Sequence, residues 1–539
     1  MSPGRFKIVI VGGGSAGWMT AATLAKTCPN KDITLIESPN TPTVGVGEST
    51  IGQINNWLGL IGIEDEEFMR ACDATYKLSI RFQDFYKKGG GHFHYPFGTA
   101  ELRGTIADMN DWVLNRILEG NTEPTHTYAE WFYRNMLLVN NNRLTDNKDG
   151  KFVGFDFTRD VAYHFDATKF GLFLKSNYAL NKGVKYIVGD VTDTFVDNNG
   201  IKEVMVNGHH PISADLFIDC TGFKSLLLGK ALKEPFESYE DILPNNSAVA
   251  TKIPYRNHKK EMVPYTNCVA YDNGWIWEIP LWSRIGAGYV YCDKYISDEQ
   301  AIVDLKEYLK KGNHNIDDSE FKTIKMRVGI HQRPFVKNVC AIGLAAGFIE
   351  PLESNGLYTV HEFLLQLVRI LQRDTVSRFD RDAFNYKCKE LFRNFAEFVG
   401  LHYALTQRND TQYWRDIQER EYCKNLYTGE PTIYNGFMSA VDKRFNKFFY
   451  GASEYGGLDC ITHGMHWFPT DSMSLQSARC GEDLGLLHEG WKRAKEAIFS
   501  INKRQLKIVK KMPTYYDFLA NKIYKGGNVG TIKFSRKKK

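Results

Sequence analysis

The chain has 539 residues, 43% of them apolar, so it can bury a large core without disulfides or metals as staples. Its formal charge of +5 is uneven: residues 503–539 hold 12 Lys or Arg against one acid, Asp517, so this tail carries +11 and the rest −6. These features exclude a membrane-spanning protein, since no apolar run is long enough, and a zinc protein, since the ten cysteines lack metal-ligand spacing. We expect a cytoplasmic protein with reduced, mostly buried thiols.

The first elements predict a dinucleotide-binding unit. A strand, a glycine loop, a helix and a second strand follow one another at Lys7–Val11, Gly12–Gly17, Trp18–Lys26 and Asp32–Ile36. In this pattern Gly12 permits the tight turn, Gly14 lets the pyrophosphate approach the backbone, and Gly17 lets the helix pack on the strand. Glu37, twenty residues after Gly17, is placed to accept the ribose hydroxyls.

A strand follows at Tyr76–Gln83, where apolar and polar residues alternate. A period of two predicts a half-buried strand with Lys77 on its polar face. The pattern alone therefore indicates an ordinary solvated lysine.

Later strands predict that the dinucleotide is FAD. Val184–Asp190 and Lys202–Val206 are predicted as two strands of a small sheet, Asp215–Gly222 as a strand closing on glycine, and Val339–Gly343 as another. Strands that return to one nucleotide across more than 300 residues fit a discontinuous FAD-binding module of the aromatic hydroxylase type. No second glycine fingerprint for NADPH is present, so reduced FAD is expected from a separate reductase.

Two further segments can each be interpreted structurally from their local pattern. Gly274–Pro280 alternates like a strand, with Trp275 and Trp277 as two core tryptophans. Glu353 precedes the helical run Leu357–Leu371, where a carboxylate would favour the positive end of the helix dipole.

Together these motifs resemble the tryptophan halogenase family of flavin-dependent halogenases, from the N-terminus to about Trp414. The strongest marker is the match of Gly274–Pro280 to the family's W-x-W-x-I-P motif. The agreeing segments are the flavin strap Val44–Thr50, the lysine segment Tyr76–Phe82, the halide-site segment Gly347–Gly356, and Gly400–Tyr403 with Arg408–Asp410.

The resemblance implies an α/β FAD-binding fold, similar to the aromatic hydroxylases, with a discontinuous dinucleotide-binding module. We expect residues 1–375 to form the FAD and halide module, with a substrate-side β-sheet inserted at about 225–330. Residues 376–539 are expected to form a mainly helical substrate-side region that ends in the basic tail.

The resemblance also assigns the site residues. Lys77 and Glu353 are the implied catalytic residues, and no metal is expected. The implied cofactor-binding residues are Gly12, Gly14, Ser15, Ala16, Gly17, Glu37, Val46, Gly47, Glu48, Trp275, Trp277 and Leu344. The implied halide-binding residues are Asn355 and Gly356, and the substrate-side residues are Pro96, Phe97 and Ser354.

The sequence departs from the family pattern in three places. Leu344 stands where an acid or amide is usual, which puts one cofactor contact in doubt. Asn355 stands where Thr is common, although backbone amides could still bind an anion there. The region after Tyr427 lacks an obvious match to the Tyr-rich lid of tryptophan-specific members, so the substrate is not expected to be free tryptophan in particular.

The implied reaction uses reduced FAD, O2 and a halide ion to make hypohalous acid. Lys77 would hold this oxidant by hydrogen bond or become a haloamine, and Glu353 would polarise it or take the proton lost from the ring. Chloride, bromide and iodide all remain open as the halide. The expected partners are a flavin reductase and a small electron-rich aromatic compound, with a homo-oligomer possible.

Two alternatives remain at this point. A flavin-dependent aromatic monooxygenase would hydroxylate a similar substrate and need neither Lys77 nor the tryptophan pair. A flavin-carrying binding protein, or a nucleic-acid binder that uses the basic tip Lys533–Lys539, would need no catalytic residues. We expect no nucleic-acid partner, because matches at flavin, halide and lysine positions have no use in a binder.

Overall fold

The computed structural model of the chain describes residues 5–41, 48–100, 112, 116, 118–120, 127–420, 456–466, 481 and 483–525. In chain order its strands are β1 Lys7–Val11, β2 Asp32–Glu37, β3 Glu48–Ser49, β4 Thr75–Lys77, β5 Ser79–Gln83, β6 His92–Pro96, β7 Ala162–Phe165, β8 Lys185–Val188, β9 Val191–Asp197, β10 Gly200–Val206, β11 Leu216–Asp219, β12 Phe236–Ser238, β13 Ser247–Ile253, β14 Tyr265–Tyr271, β15 Gly274–Pro280, β16 Ile285–Tyr291, β17 Lys322–Lys325, β18 Gly329–His331, β19 Phe335–Val336, β20 Val339–Ala341 and β21 Gly347–Phe348. The helices are α1 Ser15–Thr27, α2 Ile54–Ile61, α3 Asp65–Cys72, α4 Tyr128–Phe132, α5 Met136–Asn140, α6 Ala167–Leu174, α7 His258–Glu261, α8 Asp298–Lys311, α9 Gly356–Leu371, α10 Arg378–Ala404, α11 Gln412–Gln418, α12 Gly456–Gly464, α13 Leu484–Val509 and α14 Tyr515–Lys522.

A six-stranded sheet forms the dinucleotide-binding half of the molecule. Its order is β19-β20-β11-β1-β2-β8, parallel except where β19 meets β20. β1, β11 and β20 are buried almost throughout, as expected for central strands of a parallel sheet covered on both faces. α1 joins β1 to β2, so the predicted α/β fold and its first βαβ unit are confirmed.

The predicted small sheet was partly wrong. Val184–Asp190 and Lys202–Val206 do not pair with each other: β8 extends the six-stranded sheet beside β2, and β10 pairs with β9. The two segments are close together in the sequence, so pairing between them was the simpler prediction. In the structure β8 instead pairs in parallel with the free edge of β2, a strand about 150 residues earlier in the chain.

A seven-stranded sheet, with the order β17-β13-β16-β15-β14-β5-β6, stands opposite the nucleotide half. The predicted insert at about 225–330 supplies β13 to β17, but β5 and β6 come from much earlier in the chain. A smaller sheet, β3-β7-β4, lies beside it. The single residue Leu78 separates β4 from β5, so the chain changes sheets immediately after Lys77.

The described C-terminal elements are helical, as expected, and they pack against the strand that carries Lys77. The Tyr515 hydroxyl on α14 donates to the backbone oxygen of Tyr76. Tyr524 stacks on Trp282, with ring centroids 4.0 Å apart and planes 7° apart, and its hydroxyl donates to the oxygen of Ala74 at 2.8 Å. These contacts hold the backbone at β4 and just before it. The division at residue 375 remains a prediction.

Candidate functional site

The glycine loop is shaped by close backbone approach. Gly12 has φ +116°, and a Cβ there would stand 2.2 Å from the oxygen of Cys220 at the end of β11. A Cβ on Gly17 would stand 1.9 Å from the oxygen of Gly12, so both positions exclude a side chain. A Cβ on Gly14 would meet no atom within 4 Å, because that residue faces open space. The loop therefore presents backbone to a ligand at Gly14, as the fingerprint requires.

The open space is a cavity of about 250 Å³ between the six-stranded sheet, the seven-stranded sheet and the start of α9. It brings together predicted residues from five separate segments of the chain. The predicted residues that line it are Gly14, Ser15, Ala16, Glu48, Trp275, Trp277, Leu344, Ser354, Asn355 and Gly356. Backbone amides at the α1 N-terminus suit phosphates, and the two indoles suit a flat ring, so these residues fit a flavin dinucleotide.

Some predicted cofactor residues lie elsewhere. Gly12 and Gly17 support the loop from behind. The Glu37 carboxylate accepts hydrogen bonds from Lys175 Nζ at 2.9 Å and from the Tyr186 hydroxyl at 2.6 Å, and it does not line the cavity. Two residues of the predicted strap, Val46 and Gly47, lie outside the described residues.

Glu48, the described end of the strap, is a partly buried acid at the cavity wall. Burial, followed by the negative charge of Asp166, raises the pKa of Glu48 to about 7. The carboxyl is therefore about half protonated at pH 7, which lowers the charge that an anionic ligand would meet there.

The two tryptophans of β15 are fixed in different ways. Trp275 Nε1 donates to Glu350 Oε2 at 3.3 Å, within a fully buried cluster that sequence reasoning did not identify. Trp277 lies against Gly288 of β16, where a Cβ would come within 2.2 Å of the indole ring. The pattern correctly predicted buried tryptophans in a strand, and both rings also face the cavity.

The environment of Lys77 differs from the predicted polar strand face. Lys77 is fully buried, and Thr75 and Ser79, which share its face, are buried as well. Alternation predicts solvent on one face, but the Thr50 backbone, the Ser354 hydroxyl and the Phe97 ring surround the Lys77 amine and exclude solvent. Lys77 Nζ donates to the oxygen of Thr50 at 2.9 Å and to Ser354 Oγ at 2.8 Å.

Burial has a direct effect on the charge of this lysine. Loss of solvation lowers the pKa of Lys77 to about 7, while the Cys268 thiol and the Glu353 carboxylate oppose that shift. Both the amine and the ammonium forms are therefore accessible near neutral pH. Pro96 and Phe97 border the same site: Pro96 pairs with Ser79, and Nζ lies 5.1 Å from the centre of the Phe97 ring.

Glu353 is not the helix cap that the sequence suggested. α9 begins at Gly356 with Asn355 as its N-cap, and no side chain caps it by hydrogen bond. Glu353 ends a separate short turn and is buried, with Oε1 3.1 Å from His402 Nε2. Burial raises the pKa of Glu353, whereas His402 and then Lys77 lower it. His402 lies in the matched segment Gly400–Tyr403, but nothing in the sequence identified its partner.

The predicted halide position lies at the start of α9. Asn355 and Gly356 border the cavity at the first amides of a 16-residue helix, and such amides have no partner within the helix. The preceding residue, Ser354, has φ +60°, a conformation uncommon for a residue with a side chain. The Asn355 Oδ1 atom is buried and accepts no hydrogen bond from the described residues.

Among the described residues, no group of His, Cys, Asp and Glu could hold a metal ion, and no helix is long and apolar enough to cross a membrane. The eight cysteines in the described part of the chain are buried and form no disulfide.

Comparison with known proteins gives a consistent result. A family model described as tryptophan halogenase matches residues 7–478. The chain is 33% identical to the 7-chloro-L-tryptophan 6-halogenase KtzR of Kutzneria sp. (strain 744), over 95% of this chain and 99% of that protein. It is similar to the solved apo structure of VirX1, with TM-score 0.84 and 38% identity over 96% of this chain and 100% of that one. The crystal structure of the tryptophan 6-halogenase SttH from Streptomyces toxytricini gives TM-score 0.80 and 33% identity over 96% and 100%.

Proposed function

The chain belongs to the tryptophan halogenase family of flavin-dependent halogenases, and we propose that it halogenates an electron-rich aromatic small molecule through Lys77 and Glu353. The observation that carries the roles of these two residues is the burial of Lys77 beside Ser354, a residue that lines the cavity. Burying a lysine costs folding free energy, so a fold that retains one points to a functional role, and its perturbed pKa marks a candidate reactive group.

The flavin would be held by the glycine loop at Gly14 to Ala16 and by the two indoles of β15. Bound in its reduced form, it supplies with O2 the two-electron oxidation of halide to hypohalous acid. Leu344 offers only apolar contact and backbone to this ligand. The chain has one glycine fingerprint, so we propose that a separate flavin reductase provides reduced FAD.

Lys77 Nζ can receive the oxidant in two ways, and both end at the same atom. As an ammonium it donates a hydrogen bond to the hypohalous oxygen; as an amine it takes the halogen and releases water. Because the lysine pKa lies near 7, neither form is excluded at neutral pH.

Glu353 supports the step at the ring. When an aromatic carbon takes the halogen, its proton must leave, and a carboxylate can accept it. Its carboxylate also stabilises the ammonium form of Lys77 by charge. His402, 3.1 Å from the carboxylate, restricts where it can point.

The substrate class is an activated aromatic ring, such as an indole or a phenol. Several similar proteins are named as tryptophan halogenases, and an indole substrate agrees with those names. Residues 428–455 and 467–480, within the region after Tyr427 in which a substrate lid would be sought, lie outside the described residues. We therefore propose the broader class, with chloride, bromide and iodide as candidate halides.

The test is a panel of aromatic compounds with each halide, reduced FAD and a flavin reductase. With bromide, we expect products whose mass spectra show the paired bromine isotope pattern. Products that gain only oxygen would establish the monooxygenase alternative, which the family match does not favour. Lys77→Ala is the second arm: product should fall by about a thousandfold or more while FAD binding and peroxide release persist. Normal product yield from this variant would remove the lysine from the mechanism.

A further inference from the structure

A row of buried hydrogen bonds leads from Lys77 along the cavity wall at Ser354, Ser49 and Thr266, and then to His164 and Thr75, which do not line the cavity. The reaction gives no role to the four members beyond Ser354. We call this row the histidine relay. Its contacts are Ser354 Oγ to Ser49 Oγ at 3.0 Å, Ser49 Oγ to Thr266 Oγ1 at 2.7 Å, Thr266 Oγ1 to His164 Nε2 at 2.9 Å, His164 Nδ1 to Thr75 Oγ1 at 3.2 Å, and Thr75 Oγ1 to the oxygen of Pro280 at 2.6 Å.

The relay lies where the two substrate-side sheets meet. β3, β4 and β7 of the small sheet contribute Ser49, Thr75 and His164, and β14 of the large sheet contributes Thr266. Thr75 and His164 are fully buried, and Ser49, the most exposed member of the relay, is only 9% exposed. In such a place each hydroxyl depends on its protein neighbours, so the direction of every bond matters.

The direction can be worked out from the far end. The Pro280 oxygen can only accept a hydrogen bond, so Thr75 donates its one hydroxyl proton to it. Thr75 must then accept from His164, which places a proton on Nδ1. In the neutral ring Nε2 is left as an acceptor, and Thr266 donates to it.

Assigning one proton to each hydroxyl also gives the direction of the remaining hydrogen bonds, up to Lys77. Thr266 has used its proton, so it accepts from Ser49, and Ser49 in turn accepts from Ser354. Ser354 is left with only lone pairs for Lys77 Nζ. Neutrality of the ring, on which this depends, is supported because burial, followed by the positive charge of Lys77, lowers the pKa of His164 well below its ordinary value.

We propose that His164 is a positioning residue that holds the Ser354 hydroxyl as an acceptor toward Lys77 and so favours the ammonium form of the lysine. An ammonium donates a charge-assisted hydrogen bond to that oxygen, which is stronger than the bond from a neutral amine. An amine would gain most from a Ser354 hydroxyl turned to donate to its lone pair, and the relay prevents that turn. This inference rests on the proposed role of Lys77.

Other titratable groups face the same region and must be held constant in a test. Lys77 faces Glu353 and the Cys268 thiol, and His164 faces Lys77. Glu48 adjoins Ser49 on β3, and Asp166 acts on Glu48. A variant that changes one relay hydroxyl leaves all of these groups in place.

The first experiment observes the ring directly. The full chain is labelled with 15N-histidine, and the His164 signal is assigned by its loss in His164→Asn. We expect the neutral form with the proton on Nδ1 from about pH 6 to 9. A proton on Nε2, or a charged ring, would overturn the relay's direction regardless of any activity.

The second experiment breaks the relay at Thr266. In Thr266→Val the Ser49 hydroxyl loses its acceptor, so Ser354 becomes free to donate to a neutral amine. Product formation should change with pH around a midpoint set by the pKa of Lys77. In Thr266→Val this midpoint should fall by about half a unit to one unit. This holds for both delivery routes, because each changes at the same lysine pKa.

Thr251→Val is the matched control, since Thr251 is a buried threonine of the same sheet whose hydroxyl bonds only to the oxygen of Glu320. It should leave the pH profile unchanged, and Thr266→Ser should restore it. An unshifted Thr266→Val profile, or an equal shift in Thr251→Val, would refute the inference. Failure of this inference can be distinguished from failure of the proposed function, because Lys77→Ala tests the proposed function separately.

Discussion

At one end of the cavity the glycine loop offers backbone, and at the other Lys77 and its neighbours offer side chains. The loop belongs to one local unit, β1 to β2, and its shape follows from turn chemistry at Gly12 and Gly17. The lysine end draws β3, β4, β7, β14 and the turn before α9 from across the chain. The comparison teaches that the cofactor end depends on close backbone fit, at Gly17 within its own loop and at Gly12 against Cys220, whereas the reactive end depends on side-chain burial created by distant segments.

The pH dependence of stability gives the sharpest contrast between the two ends. Lys77 has a pKa of about 7 in the folded protein, below the value near 10.4 of an unfolded chain. Between these values the unfolded chain binds a proton that the folded one lacks, so stability rises with pH, and below pH 7 the cost is fully present. Relative to Lys77→Met, the wild-type protein should gain up to about 4 kcal/mol between pH 7 and 10.

Urea unfolding of both proteins at several pH values measures this difference. Lys169→Met, on an exposed position of α6, serves as the control and should follow the wild type. Parallel curves for the wild type and Lys77→Met would show that Lys77 is solvated in the folded protein, and the contrast between the two ends would disappear.

Glu353→Gln tests the acid at the lysine end with a smaller expected effect. Product formation should slow by about 100-fold, since a positioned base for the ring proton is lost, while FAD affinity stays the same. The pKa of Lys77 should also fall, because the Glu353 charge supports the ammonium. Single-turnover product formation measures the rate, with Glu362→Gln on α9 as the control. A rate within twofold of the wild type would contradict the role of Glu353.

A pair of alanine variants tests the glycine end. Gly17→Ala places a methyl group against the Gly12 oxygen and should lower the free energy of unfolding by about 1–3 kcal/mol. Gly14→Ala meets no atom, so stability should change by less than about 0.5 kcal/mol while FAD binding weakens. Calorimetric unfolding and FAD titration separate the two effects. Equal destabilisation by both variants would show that the loop's shape does not depend on the contact at Gly17.

The sequence by itself determined the glycine loop, the first βαβ unit, the helix of α9 and the buried tryptophan strand. Each of these depends on local signals: turn residues, hydrophobic period and the spacing of three glycines. It also carried the family resemblance that pointed to Lys77 and Glu353, although periodicity alone described Lys77 as a surface charge and Glu353 as a helix cap.

Only the tertiary structure decided how those residues are surrounded. The burial of Lys77 arises because Thr50, Phe97 and Ser354, from other segments of the chain, surround its amine. The contact of Glu353 with His402 joins positions 49 residues apart, and the histidine relay joins segments more than 300 residues apart. The alternation of residues along a strand shows that its two faces differ. Which residues cover each face depends on elements elsewhere in the chain, and that covering determines the chemistry of the lysine.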